Sequence, residues 1–217
     1  GTLEQCLAGM TRAPCRLQAS GRTDAGVHAH GQVANFFTAT DIPCDAFVRG
    51  LNAALPKDIS VLSVEEVPAD FDARRAARGK HDIYRIFNRR IRSPHHERTT
   101  WHIYAALDVD AMRRAARHLL GEHDFSAFRA KNCVAKNPVR ILRRLDIAHE
   151  AEHLLHIDLE ATAFLKNMAR VIVGTLAEVG LGARPADSMA DILAGRDRRR
   201  AGVTAPACGL TLERVYY

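Results

Sequence analysis

Runs of helical and strand periodicity alternate along the whole chain, and that pattern predicts an α+β fold: one mostly antiparallel sheet flanked by helices. Three observations carry the prediction. Residues 139–149 and 154–161 are apolar-alternating runs on either side of Glu150-Ala151-Glu152, a hairpin by pattern. Residues 164–179 bring Leu165, Met168, Ala169, Ile172, Leu176 and Val179 onto one helical stripe. No composition shift and no Pro/Gly/Ser linker divides the chain. Two α+β halves, 1–100 and 101–217, are therefore expected to form one continuous unit with a shared sheet.

Taken in order, residues 2–10 read as a helix end, with Leu3, Cys6 and Leu7 on one face and Gly9 near its stop. Residues 15–19 and 33–38 read as short strands. Residues 43–55 read as a helix, with Pro43 in its first turn and Phe47, Val48, Leu51 and Leu55 at helical spacing. Residues 59–67 alternate and read as a strand, as do residues 83–87 after the basic run Arg78-Gly79-Lys80-His81. Met112, Ala115, Ala116, Leu119 and Leu120 share a helix face that Asp108 or Asp110 can cap and Gly121 can end. Residues 123–128 are a turn and 132–138 a polar loop. Asp187 opens a short helix closed by Gly195, 196–200 is a basic loop, 204–207 a linker, and 210–217 a final strand.

Between the first two strands lies Ser20-Gly-Arg-Thr-Asp-Ala-Gly-Val-His-Ala-His-Gly-Gln32, with glycines at 21, 26 and 31. Glycine permits a left-handed backbone and close approach, so this is a shaped loop rather than an element interior. The carboxylate of Asp24, followed by Ala25-Gly26, is sterically open to a ligand. Read without any relative in mind, the run is also compatible with a plain Asp-Ala-Gly turn and an exposed ion pair.

The chain has 217 residues, 47% hydrophobic and 26% charged, enough to bury a core. Its net charge of +6 is mostly arginine, which leans toward nucleic acid. A GC-rich genome, which encodes Arg for Lys and Ala freely, would give the same excess. Basic residues interleaved with Tyr84, Phe87 and Trp101 suit a phosphate-and-stacking surface as well as a solvated edge. The five cysteines are scattered, with no C-x-x-C, which points to a reducing cytosol and argues against disulfides or a zinc site. No apolar run approaches 18 residues, so a soluble protein is expected.

The run Gly21-Arg22-Thr23-Asp24-Ala25-Gly26-Val27-His28-Ala29, continued by Gly31-Gln32-Val33, resembles the signature of the TruA family of tRNA pseudouridine synthases. Other segments resemble that family in the right order: Asn52 to Ile59, Phe71-Asp72-Ala73-Arg74, Leu120 to Phe125, Phe164 to Gly174 with Met168 and Arg170, and Thr204-Ala205-Pro206-Ala207-Cys208-Gly209-Leu210. Two departures stand out. The family's opening strand and Gly-Trp-Gln turn are not in this sequence, which therefore reads as trimmed at its start. In the family's K-x-Y-x-Y strand, Lys80 and Tyr84 are kept and Asp82 replaces the first tyrosine.

The resemblance implies a pseudouridine synthase fold of two ferredoxin-like halves. It implies isomerisation of uridine at tRNA positions 38–40 in the anticodon stem-loop, with no cofactor and no metal. It further implies a cytoplasmic homodimer that the tRNA crosses. Asp24 matches the nucleophile, which must be ionised and so needs a nearby cation; Arg170 matches that arginine. Tyr84 matches the tyrosine that stacks on the uracil. Arg22 is placed to insert where the uridine leaves the stack, since the reacting bond is unreachable inside a helix. His28 and Gln32 would shape the loop or touch RNA, and Arg74 and Lys80 are further RNA-binding candidates. Two other readings stand beside this one: a tRNA-binding fragment with impaired catalysis, and a hydrolase using Asp24 with His28 or His30 as base.

Overall fold

The computed structural model describes residues 1–217. In chain order the elements are α1 (Thr2–Thr11), β1 (Gln18–Ala19), β2 (His28–Ala29), β3 (Ala34–Asn35), α2 (Cys44–Ala54), β4 (Gly79–Asn88) and β5 (Trp101–Ile103). There follow α3 (Val109–Arg117), β6 (Gly121–Asp124), β7 (Val139–Ala151), β8 (Leu154–Ala161), α4 (Met168–Gly180), α5 (Ser188–Gly195) and β9 (Leu210–Tyr216). Three single 3-10 turns lie at Ser126–Phe128, Arg198–Arg200 and Ala207–Gly209. The chain forms two compact units, one of residues 1–21 and 33–76, the other of residues 22–32 and 77–217.

In the first unit α1 and α2 pack together around Leu7, Cys15, Phe47 and Leu51, all buried. The stripe that predicted α2 is the stripe it buries, and the ring of Phe47 meets that of Phe36 edge-on at 5.7 Å. β1 and β3 form a two-stranded antiparallel ladder, shorter than the two strands read from the sequence. Residues 59–67 form no strand. Val61 and Val64 do pack against this core, but they are three residues apart and Ile59 and Val67 are exposed, so the alternation does not match what is buried. The backbone of Val61 is satisfied by the Asn52 side chain, which donates Nδ2–H to the Val61 carbonyl and accepts its N–H, both at 2.8 Å. One amide side chain takes the place of a neighbouring strand.

The second unit is built on a seven-stranded sheet in the order β2-β9-β4-β8-β7-β6, with β5 on β4. The long pairings, β4–β8, β4–β9, β7–β8 and β6–β7, are antiparallel. The short β2–β9 and β4–β5 pairings are parallel, so the sheet is mixed rather than uniformly antiparallel. The hairpin of β7 and β8 falls where the alternation puts it. β4 begins at Gly79 rather than at 83, so it takes in all of the basic run but Arg78: His81 is accommodated by a 2.7 Å bond to the buried Asp158 carboxylate on β8. β6 replaces the expected turn at 123.

One face of this sheet carries Tyr84, Ile86, Ile157, Leu159 and Leu142 into a core shared with Met112 of α3 and Ile172 and Leu176 of α4. α4 is buried on nearly every side, including Val171, Val173 and Ala177. Each such Leu or Ile contributes about 1.5–3 kcal/mol relative to exposure. Asp108 caps α3 by accepting the Ala111 N–H at 2.8 Å, as predicted. α4 starts at Met168, not at 164, because Asn167 is left-handed (φ 63°) and breaks the helix while Leu165 still buries. No helix is long and apolar enough to cross a membrane.

Candidate active site

The glycine loop and α4 meet at Asp24. Arg170, in the first turn of α4, donates Nη1–H to Asp24 Oδ2 at 2.8 Å. The same guanidinium donates Nε–H to the Ala205 carbonyl at 2.8 Å, and the Ala205 N–H returns a bond to the Arg170 carbonyl at 3.0 Å. Arg170 is thus fixed at both ends, 16% exposed, while the Asp24 side chain is 33% exposed. Oδ1 of Asp24 makes no hydrogen bond, so one carboxylate oxygen is held and the other is open.

The loop's shape follows from its residues. Val27 N–H donates to the Asp24 carbonyl at 3.0 Å, closing a turn in which Gly26 takes φ +84°. A Cβ there would be strained by that φ and would lie 3.3 Å from the Cβ of Ala207. β2 then seats the loop against the first residues of β9, pairing His28 with Thr211 and Ala29 with Leu212.

Tyr84, in the middle of β4, is fully buried. Its hydroxyl donates to the Pro206 carbonyl at 2.8 Å, and its ring meets Trp101 edge-on at 6.4 Å. Burial pushes its phenol well above the ordinary range, reinforced by Cys208 and opposed by the Arg170 guanidinium. The ring passes so close to Gly209 that a Cβ there would stand 2.6 Å from its Cζ. A cavity of about 300 Å³, lined by Trp101, Pro206 and Cys208 among others, adjoins the same residues. The larger cavity, about 730 Å³ between the start of α3 and the end of α4, contains none of the expected site residues.

Asp24, Arg170 and Tyr84 are therefore brought together. Arg22 is exposed and makes no ion pair, and Gln32 is exposed on the same loop. His28 donates Nε2–H to the Arg98 carbonyl at 2.9 Å, and His30 Nδ1 lies 2.9 Å from Glu213 Oε2; neither histidine bonds to Asp24. Lys80 is half-buried on β4, on the Tyr84 side of the strand. Arg74 is exposed in the first unit, its backbone N–H bonded to Asp72 Oδ1.

The sequence does not show the role of the segment 204–208, whose residues 204–207 read as a linker. Its carbonyls at Ala205 and Pro206 each accept one donor, from Arg170 and Tyr84 respectively. The match of this segment to the family's T-A-P-A-x-G-L pattern was the available signal. Trp101 was noted only as an aromatic in a basic region. Asp82, which stands where the family has a tyrosine, is buried on the Tyr84 face with Leu159 and Leu212 opposite it on the flanking strands. That apolar setting pushes its carboxyl up to about 7, against the pull of Lys80.

Fold and site define a class: a mixed α+β enzyme that presents an arginine-held carboxylate from a glycine-rich loop. A family model described as tRNA pseudouridine synthase matches residues 4–74 and 115–217. The tRNA pseudouridine synthase A of Myxococcus xanthus is 51% identical over 215 residues, covering 99% of this chain and 81% of that protein. Its counterparts in Geotalea uraniireducens strain Rf4 and Geobacter sulfurreducens are 47% and 45% identical, each covering 99% of this chain and 88% of the relative. The chain belongs to the tRNA pseudouridine synthase family, whose members are isomerases.

Proposed function

We infer that this chain isomerises uridine to pseudouridine in the anticodon stem-loop of tRNA, with the Asp24 carboxylate as nucleophile. The observation that carries the reading is the division of labour between the carboxylate oxygens. Oδ2 is bound to Arg170, which orients the group, and Oδ1 makes no hydrogen bond and is left for attack. In the reaction the N1–C1′ bond breaks, the uracil turns, and C5 bonds to C1′. The C5 proton leaves to solvent and N1 takes one up, so atoms balance and no redox change occurs. Attack at ribose C1′ and attack at pyrimidine C6 both begin from this oxygen.

The remaining site residues take roles around that step. Arg22, exposed beside Asp24, fills the place the flipped uridine vacates. Tyr84 stacks on the uracil; because its ring is wholly buried, stacking requires Trp101 or the 204–208 segment to shift. His28 and Gln32 shape the loop, and Arg74 and Lys80 add contacts to RNA. The family's two ferredoxin-like halves, divided near residue 100, belong to the same proposal. What supports a ferredoxin-like second half is the strand order β9-β4-β8-β7, with α3 between β4 and β7 and α4 between β8 and β9 in the chain; its first strand, β4, lies before residue 100. A homodimer crossed by tRNA and a cytoplasmic setting also belong to the proposal, the latter in keeping with five free cysteines.

The test uses tRNA carrying tritium at uracil C5. Incubation with the chain should release tritium to water in step with pseudouridine formation in the anticodon stem-loop. Absence of release from any tRNA at enzyme excess would overturn the reading.

A further inference from the structure

The chain between β4 and β5, residues 89–100, leaves the sheet and returns beside the strand it left. It holds four arginines, Arg89, Arg90, Arg92 and Arg98, against one carboxylate, Glu97. Arg92 lies 3.7 Å from Glu97, both well exposed. Arg89, Arg90 and Arg98 are exposed and their guanidinium groups meet no carboxylate.

A turn that merely solvates its charges has no need of a fixed backbone. This one is fixed along its length. His102 Nε2–H donates to the Arg89 carbonyl at 2.7 Å. The ring of His96 stacks on the buried Phe87 at 4.9 Å, and Thr100 Oγ1–H and N–H both donate to the His96 carbonyl. Thr100 is 4% exposed, and Cys208 Sγ–H bonds its carbonyl at 3.4 Å. The remaining tie comes from the catalytic loop: His28, four residues after Asp24, donates to the Arg98 carbonyl at 2.9 Å.

Three unpaired guanidinium groups are thereby held on a rigid backbone that is bonded both to the Asp24 loop and to the segment holding Arg170 and Tyr84. Arginine forks match phosphate oxygens, and clustered like charges are relieved by a polyanion. We propose that Arg89, Arg90 and Arg98 form a phosphate clamp for the ribose-phosphate backbone of the RNA stem flanking the target uridine. The proposal rests on the functional reading above and adds to it a surface that registers the stem against Asp24. Its energetic signature is counterion release on binding.

The test compares the parent with an Arg89→Gln/Arg90→Gln/Arg98→Gln variant and with an Arg114→Gln/Arg117→Gln control on the exposed side of α3. Binding of the unmodified tRNA is measured from about 50 to 200 mM salt. Loss of three phosphate contacts should shrink the slope of log K against log salt by about 2–3 and weaken low-salt binding by roughly 10-fold or more. The control should keep the parent slope, and all three proteins should melt together. An unchanged slope in the triple variant, or an equal drop in the control, would overturn the clamp. Failure of the parent to form pseudouridine would instead strike the functional reading, and the two outcomes are read in separate assays.

Discussion

Arg170 and Ala205 are bonded to each other twice, guanidinium Nε–H to carbonyl at 2.8 Å and amide to carbonyl at 3.0 Å, which leaves Nη1 aimed at Asp24. A lysine would keep the charge and lose the fork, since an ammonium cannot hold this geometry from one rigid plane. Arg170→Lys should therefore cost on the order of 10²-fold in single-turnover rate. Its unfolding free energy should fall by only about 1 kcal/mol, the worth of one hydrogen bond. Rapid-quench kinetics and urea unfolding check the two halves.

Tyr84 combines a buried ring with one hydrogen bond to the Pro206 carbonyl. Tyr84→Phe keeps the ring and leaves that carbonyl without its donor, a cost of about 1–3 kcal/mol. If the ring is what meets uracil, the variant should retain turnover to within about 10-fold, in keeping with one lost hydrogen bond. Tyr84→Ala should abolish it. Thermal melting and tritium release read these separately.

Gly209 gives that ring its space. A methyl at 209 would stand 2.6 Å from Tyr84 Cζ and 2.9 Å from the Arg85 carbonyl, so the strand or the ring must move. Overpacking of this kind costs about 1–3 kcal/mol, and for a chain of this size roughly 2–4 °C of Tm per kcal/mol. Gly209→Ala should melt several degrees lower, with a larger fractional loss of activity than of folded protein.

Asp82 makes stability depend on pH. Its carboxyl titrates at about 7 in the folded protein against an ordinary 3.8, so the folded state keeps a proton that the unfolded chain has released. The folded state then binds more protons, and stability falls as pH rises from about 4 to 7 and levels off above. The ceiling on this loss is roughly 4 kcal/mol. Asp82→Asn, neutral at every pH, should match the parent near pH 4 and exceed it at pH 8. Chemical denaturation at the two pH values measures the gap, and equal stabilities at pH 8 would contradict the assignment.

Elements whose burial follows a simple period were legible: α2, α3, α4, and the β7–β8 hairpin. The cap at Asp108 was legible because a side chain makes it. The site was legible where side-chain identity carries chemistry. Asp24 and Arg170 lie 146 residues apart, and only their resemblance to a family pattern joined them before the structure did. The two carbonyls that hold Arg170 and Tyr84 were not legible, because a backbone oxygen leaves no mark on residue type. Residues 59–67 misled because their alternation is not a burial pattern: Ile59 and Val67 are exposed, Val61 and Val64, three apart, are the ones that pack on the core, and the Asn52 amide pairs the Val61 backbone. β4 began earlier than read because Asp158, far along the chain, makes room for His81 in a central strand.

The most direct measurement is tritium release from C5-labelled tRNA by an Asp24→Asn variant, at enzyme excess and with tRNA binding measured alongside. The side chain keeps its size and loses its charge, so binding should persist and release should fall to background. A variant that binds tRNA and still releases tritium at a rate near the parent's would contradict the assignment of Asp24 as the attacking group.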